Sequence, residues 1–168
     1  MSTYRYAAYG SNLHPLRLEK RVPSTKLLGV SLVSGYELRF NKKSDIDGTG
    51  KCSINRGIGI VRLAVYEIEV KEKTILDKCE GLGKGYDEIP IYVHQFGRCL
   101  TYIADPAVID ETLRPTDWYK EMVLLGCRSH RFPDEYVRSI EKIRSIEDAD
   151  ERRNHASWQL VEELRNDI

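Results

Sequence analysis

Apolar and polar positions divide the sequence into a strand-rich part, up to about residue 104, and a helical last third. Tyr4 to Ala8 is a short apolar run that predicts the first strand. Residues 24–41 alternate loosely around two glycines, which predicts two strands or one long bent strand. The expected core residues of this segment are Leu27, Val30, Leu32, Val33, Leu38 and Phe40.

The strongest strand pattern runs from Ile58 to Val70. Apolar residues fill both alternating sets, with Ile58 and Ile60 opening one of them, so its middle is expected to be buried on both faces. We expect Arg56-Gly57 to turn the chain just before this strand, and the polar segment Asn41 to Lys51 to form a surface loop. Residues 86–95 and 98–104 predict a hairpin that turns at Phe96-Gly97.

Helical spacing appears in four places. Lys71 to Cys79 predicts a short helix with Ile75 and Leu76 facing inward, and residues 116–128 predict a longer helix with Thr116 at its N-cap. Pro133 is expected to begin the next helix. Residues 148–168 predict an amphipathic helix that packs on its own domain or on a partner subunit, through Trp158, Val161, Leu164 and Ile168.

Composition narrows the function classes. The 168 residues fit one domain, and the 26 basic and 26 acidic side chains balance to zero net charge. This balance argues against an electrostatic nucleic-acid or membrane partner. No run approaches the ~18 apolar residues that span a bilayer, and the chain enters a strand pattern at once, so we expect a cytoplasmic protein.

The four cysteines predict no metal site. Cys52, Cys79, Cys99 and Cys127 lie far apart without a Cys-x-x-Cys pair. Cys127 and His130 have a possible ligand spacing, but the expected second pair is missing. Buried reduced thiols are the interpretation we favour.

One turn carries candidate chemistry. Tyr9, Gly10, Ser11, Asn12 and Leu13 lie between the first strand and a helix that Pro15 can begin. Gly10 can adopt positive φ and lacks a Cβ, which allows another group to approach the backbone. The turn therefore predicts an anion site made of backbone N–H groups, although a plain strand-to-helix turn fits the same residues.

Glu80 is the candidate proton carrier. Gly81 stands where a helix C′ glycine is expected, so Glu80 lies at the negative end of the helix dipole. This field and any burial raise the pKa of a carboxyl group, as a proton carrier requires. A solvated glutamate in a glycine-rich turn is the alternative.

Four segments in order resemble the gamma-glutamylcyclotransferase family. They are Tyr9 to Leu13, Leu76 to Gly81 with Gly85-Tyr86, Thr101-Tyr102, and Pro115 to Tyr119 followed by Gly126 and Phe132 to Tyr136. The resemblance covers roughly residues 4–143 and leaves 144–168 as a C-terminal helical extension. It implies an α+β fold in residues 1–168, with a mixed, barrel-like β-sheet, flanking helices and the extra C-terminal helix.

The family resemblance implies a reaction that needs no cofactor and no metal. The α-amine of a γ-glutamyl amide attacks its own γ-carbonyl, which releases 5-oxoproline and an amine or amino acid. This is a lyase or acyltransferase reaction connected with glutathione metabolism. The resemblance assigns general acid/base catalysis to Glu80, and it implies that Tyr9, Gly10, Ser11, Asn12, Leu13, Tyr86, Tyr102 and Tyr119 bind the substrate.

Some points stay open at this level. Leu63 replaces a family glycine in the strand Val61 to Tyr66, which puts the shape of the pocket in doubt. The loop at 41–51 either borders the substrate entrance or is a plain hairpin loop. The chain is a monomer or a homodimer. Two other functions compete: a non-catalytic small-molecule binding module, and an acyl-transfer enzyme whose Ser11 or Cys79 is activated by His14 or His94.

Overall fold

The protein was analysed as a computed structural model that describes residues 2–168. These residues form five strands, β1 (Thr3–Ala8), β2 (Lys26–Lys43), β3 (Gly50–Glu69), β4 (Tyr86–Val93) and β5 (Gly97–Ala104). They also form five α-helices, α1 (Pro15–Arg21), α2 (Lys73–Glu80), α3 (Asp117–Ser129), α4 (Asp134–Glu141) and α5 (Glu151–Arg165). Short 3-10 turns cover Val70–Glu72 and Pro106–Val108.

The strands form one mixed sheet in the order β2-β3-β1-β5-β4. The central strand β1 is antiparallel to β3 and parallel to β5. The edge strands β2 and β4 line one groove together, through Leu32 and Tyr92 among others, so the sheet curls back on itself as a half-barrel. The expected α+β class with a barrel-like sheet and flanking helices is confirmed. Because β1 is central, the turn that follows it emerges from the middle of the sheet.

The long β2–β3 hairpin resolves one prediction and overturns another. Residues 24–41 belong to a single long strand, and its pairing with β3 shifts register near Gly29 and Gly35. The prediction of a turn at Arg56-Gly57 is wrong, because β3 is continuous from Gly50 to Glu69. The segment between Arg56 and Ile60 bulges opposite Ser34–Tyr36, and Ile58 in this bulge is fully exposed.

Burial follows the position of each strand in the sheet. The middle of β3 is buried on both faces, as its pattern predicted, from Val61 to Val65 and on to Ile68. In β2, Val33 and Phe40 are buried, whereas Leu27, Val30 and Leu32 are exposed. The expectation for those three residues is wrong: they lie in a strand at the edge of the sheet, and their side chains are not covered by the rest of the chain.

The helices cover the sheet and each other. α3 contacts both α4 and α5, and its Tyr119, Met122, Val123 and Leu124 are all buried, as expected. α5 packs on its own chain through Val161 and Leu164, and His14 Nε2 lies 3.1 Å from the Leu164 carbonyl oxygen. Ile168, expected on the same stripe, is exposed. No helix within residues 2–168 is long and apolar enough to cross a bilayer.

Candidate active site

Helix α2 delivers Glu80 to the site. The buried Leu76 anchors the helix, whereas Ile75, expected to face inward, is exposed. The helix ends where Gly81 adopts the left-handed conformation (φ 73°) that its sequence position predicted, and its N–H caps the carbonyls of Asp77 and Lys78. Glu80 is thus the last helical residue, and its side chain is only 18% exposed.

The turn 9–13 follows β1 directly. The Leu13 N–H donates to the Gly10 carbonyl oxygen at 3.0 Å and closes the turn. Gly10 does not have the positive φ that we considered. It is a glycine because a Cβ there would lie 2.9 Å from Cys52 Cβ, so the group that approaches the backbone is a side chain of β3.

Asn12 connects this turn to Glu80. Its side-chain amide donates to Glu80 Oε1, and its Oδ1 accepts from Arg21 Nη1 at 3.0 Å. Arg21 Nη1 also lies 4.0 Å from Glu80 Oε1. The Asn12 amide reaches the Tyr6 hydroxyl oxygen at 3.4 Å. The turn and the carboxylate therefore meet at Asn12.

Two adjoining cavities lie at this junction. The inner cavity, about 30 Å³, is lined by Tyr6, Tyr9, Gly10, Ser11, Asn12, Cys52, Glu80, Tyr86 and Tyr119. The outer cavity, about 470 Å³, shares Ser11, Glu80, Tyr86 and Tyr119 with the inner one and extends to the β2–β3 loop at Ser44 to Asp47. The loop therefore borders a cavity, and that this cavity is the substrate entrance stays a prediction.

Backbone N–H groups at the turn are available to a ligand. Within residues 2–168, the N–H groups of Gly10, Ser11 and Asn12 meet no protein acceptor. The N–H of Leu13 is different, since it is used within the turn. Leu13 is also fully buried and lines neither cavity, so the structure does not place it with the substrate-binding residues expected from the resemblance.

Of the four predicted tyrosines, Tyr9, Tyr86 and Tyr119 line the inner cavity and Tyr102 does not. The Tyr86 hydroxyl donates to the Cys52 carbonyl oxygen at 2.6 Å, and the Tyr119 hydroxyl accepts from Cys52 N–H at 3.1 Å. Tyr9 lines the inner cavity and donates to the Tyr102 carbonyl oxygen at 2.6 Å. Tyr102 lines neither cavity.

The Tyr102 hydroxyl is occupied elsewhere. It donates to Asp77 Oδ1 at 2.6 Å and lies 3.4 Å from Lys73 Nζ. The structure therefore does not bring this hydroxyl to the predicted site. Its contacts tie β5 to α2 and so support the helix that carries Glu80.

The electrostatic surroundings of Glu80 are mixed. Burial raises the pKa of the Glu80 carboxyl above its usual value, and the positive charges of Arg21 and Arg17 oppose that rise. The result is a carboxyl group whose proton affinity is higher than that of a solvated glutamate.

Sequence reasoning missed Arg17 and Arg21. They are four residues apart on α1 and so lie on the same face of that helix. Arg17 is 9% exposed, its Nε is buried without a partner, and it forms no ion pair within residues 2–168. The i, i+4 spacing of two arginines directly after the turn is the signal that could have found them.

The residues that the competing acyl-transfer function requires do not come together in the structure. His14 is fully buried against Leu164, and His94 lies at the β4–β5 turn in the groove between the edge strands. Across the described residues, neither histidine hydrogen-bonds to Ser11 or Cys79. Cys79 is exposed, which corrects the expectation of four buried thiols; Cys52, Cys99 and Cys127 are buried. No cluster suited to a metal ion occurs in residues 2–168.

Leu63, the departure from the family pattern, lies away from the site. It is fully buried in β3 opposite Ser31 and lines neither cavity. The larger side chain is absorbed by the core of the sheet, so it does not alter the walls around Glu80.

The chain resembles known proteins in sequence and in fold. Residues 61–140 match the model of the AIG2-like family. A gamma-glutamylcyclotransferase from Bos taurus is 30% identical over 148 residues, which cover 84% of this chain and 79% of that protein. One from Homo sapiens is 28% identical over 160 residues, covering 88% and 81%.

A solved structure named gamma-glutamyl cyclotransferase superposes with a TM-score of 0.82 at 23% identity, covering 96% of this chain and 99% of that one. This likeness concerns the fold. The 30% sequence identity to the bovine protein over most of both chains shows that the chain belongs to the gamma-glutamylcyclotransferase family.

Proposed function

We propose that this protein cleaves γ-glutamyl amides by intramolecular cyclisation, giving 5-oxoproline and a free amine or amino acid. The observation that carries the proposal is that Glu80 and the turn 9–13 meet at one cavity and are joined through Asn12. The name of the curated relatives, gamma-glutamylcyclotransferase, points to the same reaction.

The reaction moves two protons from the α-nitrogen to the leaving nitrogen and exchanges one C–N bond for another. Glu80 accepts a proton from the substrate's α-ammonium group, and the freed amine attacks the γ-carbonyl carbon. A C–N bond forms in the five-membered ring as the original amide C–N bond breaks. Glu80 returns this proton to the leaving nitrogen and takes the second proton from the attacking nitrogen as the lactam forms. The released amine takes up that second proton, which restores the carboxylate, so no water is consumed. Transfer by one positioned carboxylate is typically worth ~10²–10⁴-fold in rate.

The turn supplies the anchor for the glutamyl head. The unpaired N–H groups of Gly10, Ser11 and Asn12 bind the α-carboxylate, which holds the substrate with its amine toward Glu80. Fixing both reacting groups in one molecule and one orientation removes much of the entropic barrier to ring closure. Tyr9 forms a wall of the inner cavity beside these groups.

Tyr119 is the tyrosine we assign to the γ-carbonyl oxygen. The Tyr86 proton is committed to the Cys52 carbonyl, whereas Tyr119 accepts from the Cys52 N–H and has its own proton directed at the Cys52 thiol, a weak acceptor that a substrate carbonyl oxygen can replace. Burial raises the pKa of both phenols, so they remain protonated hydroxyl groups. A donor aimed at the developing oxyanion stabilises the transition state.

We place the reaction in the cytoplasm, where reduced thiols such as the buried Cys52, Cys99 and Cys127 persist. Free γ-glutamyl amino acids, glutathione and γ-glutamyl amines are the substrate candidates, since all share the head that the turn binds.

The test is a panel of these compounds incubated with the wild-type protein and with Glu80→Gln, with 5-oxoproline measured by mass spectrometry. We expect Glu80→Gln to keep the fold and the affinity for ligand but to lose turnover by about 100-fold or more. Glu19→Gln, an exposed glutamate on α1, is the matched control and should keep wild-type turnover. Turnover by Glu80→Gln within about threefold of wild type would defeat the assignment.

A non-catalytic binding module is the other outcome. It predicts ligand binding by calorimetry to the wild-type protein without any 5-oxoproline from any member of the panel.

A further inference from the structure

The outer cavity carries an excess of positive charge that the proposed chemistry does not use. Seven cationic side chains line it, against three acidic ones, Asp45, Asp47 and Glu80. The seven are Arg17, Arg21, Lys42, Lys51, Lys78, Lys84 and Arg153. Arg153 pairs with Asp148 outside the cavity, and Lys51 pairs with Asp47 at 2.8 Å. Within residues 2–168, Arg17, Lys42, Lys78 and Lys84 form no ion pair.

Lys42 is the most unusual of these cations. It is only 4% exposed, although an uncompensated buried lysine is unfavourable. Its ammonium group lies 4.7 Å from the centre of the Tyr86 ring and donates to the Lys84 carbonyl oxygen at 3.3 Å. A lysine ammonium has three N–H donors, so two remain for a ligand.

The position of the Lys42 side chain is fixed by its neighbours. The backbone of Lys42 pairs with Lys51 on one side and with Ile109 on the other. Gly85 leaves room for it, since a Cβ at Gly85 would lie 2.9 Å from Lys42 Cε. Burial lowers the pKa of Lys42, a cost that an anionic ligand would relieve.

The two buried cations occupy different parts of the cavity. Arg17 lies on α1, on the same face as Arg21, whose Nη1 is 4.0 Å from Glu80 Oε1. Lys42 lies at the end of β2, next to the loop that carries Asp45 and Asp47, with its ammonium group over the Tyr86 ring. A carboxylate next to the scissile amide suits Arg17, and a carboxylate further along the leaving group suits Lys42.

We propose that the outer cavity selects γ-glutamyl compounds whose leaving group carries an acidic side chain, and that Lys42 binds this second carboxylate. The inference rests on the proposed function and specifies its substrate class. Tyr86, which lines both cavities beneath the Lys42 ammonium, connects the two positions.

The test uses two dipeptides of equal shape, γ-glutamyl-glutamate and γ-glutamyl-glutamine, which differ by one charge in the leaving group. We expect wild-type kcat/KM to favour the acidic dipeptide by about tenfold or more. Lys42→Met should bring the two values within about twofold, mainly by lowering kcat/KM for the acidic dipeptide. Lys43→Met, at the exposed neighbouring position on β2, is the matched control and should keep the preference.

Binding is measured separately on Glu80→Gln by calorimetry, in low and high salt. The acidic dipeptide should bind about tenfold more tightly than the amide, and the difference should shrink as salt rises from about 20 mM to about 500 mM. Equal affinities, or a preference that survives Lys42→Met, overturn the inference while 5-oxoproline formation leaves the proposed function standing. Absence of 5-oxoproline from both dipeptides and from the wider panel overturns the proposed function instead.

Discussion

The side-chain amide of Asn12 donates a hydrogen bond to the carboxylate of Glu80, which lies 68 positions later in the chain. The same asparagine accepts from Arg21 through its other end. One residue of the turn thus orients the candidate proton carrier and holds the nearest positive charge in place. Four predictions follow from this arrangement and from the elements that support it.

The first prediction concerns the stability cost of Glu80. Because burial raises its folded pKa above the usual 4.5, the folded state holds more protons than the unfolded state between these two pKa values. Stability of the wild type therefore falls as pH rises through that interval. Glu80→Gln has no buried carboxyl group to ionise and still accepts the Asn12 hydrogen bond. Its melting temperature should therefore exceed that of wild type at neutral pH. The two proteins should converge toward pH 4, and a difference that is constant with pH would contradict the burial argument.

The second prediction concerns Arg21 and the pH dependence of turnover. Glu80 must be ionised to accept a proton, so kcat/KM falls below its pKa. The positive charge of Arg21 opposes the rise in that pKa caused by burial. Arg21→Met should therefore move the acidic limb of the pH–rate profile to higher pH, whereas Arg21→Lys should largely keep it. A profile that only drops in height for both variants would indicate a purely structural role.

The third prediction separates the tyrosines. The Tyr102 hydroxyl bonds to Asp77, away from both cavities, so Tyr102→Phe should cost about 1 kcal/mol of unfolding free energy. Its kcat should stay near the wild-type value. Tyr119→Phe removes the donor assigned to the γ-carbonyl and should lower kcat by at least about tenfold. Urea denaturation and steady-state kinetics on both variants check this, and the reverse pattern would move the oxyanion donor to Tyr102.

The fourth prediction concerns Gly126 in α3. Replacing glycine by alanine inside a helix ordinarily stabilises it by about 1 kcal/mol. Here a Cβ would lie 2.5 Å from Leu13 Cβ and 3.0 Å from the His14 backbone nitrogen, so the helix and the turn must separate. Gly126→Ala should destabilise the fold by about 1–3 kcal/mol and raise KM, because the displaced backbone includes the end of the turn. A higher melting temperature of Gly126→Ala than of wild type would show that Leu13 and His14 accommodate the added methyl group without strain.

The sequence was informative wherever the deciding interactions are local. Gly81 ends α2 in the left-handed conformation because only a short stretch of backbone determines a helix cap. The alternating and continuous apolar runs of Ile58 to Val70 predicted burial on both faces, and this holds from Val61 to Ile68. The prediction of burial is wrong at Ile58, because this residue lies in a bulge. A bulge depends on how many residues the partner strand places opposite it, and the pattern of a single strand does not contain that number.

Motif order and local spacing were sufficient to indicate the family, the α+β class and the two segments that form the candidate site. The tertiary structure decided which members of those segments face the cavity. Leu13 and Tyr102 turn away from it, because one closes the turn and the other bonds to Asp77. It also brought in Arg17, Arg21 and Lys42, whose positions beside Glu80 and Tyr86 depend on contacts between distant parts of the chain. Charge in a cavity is a property of the folded surface, which is why a chain of zero net charge has a strongly cationic outer cavity.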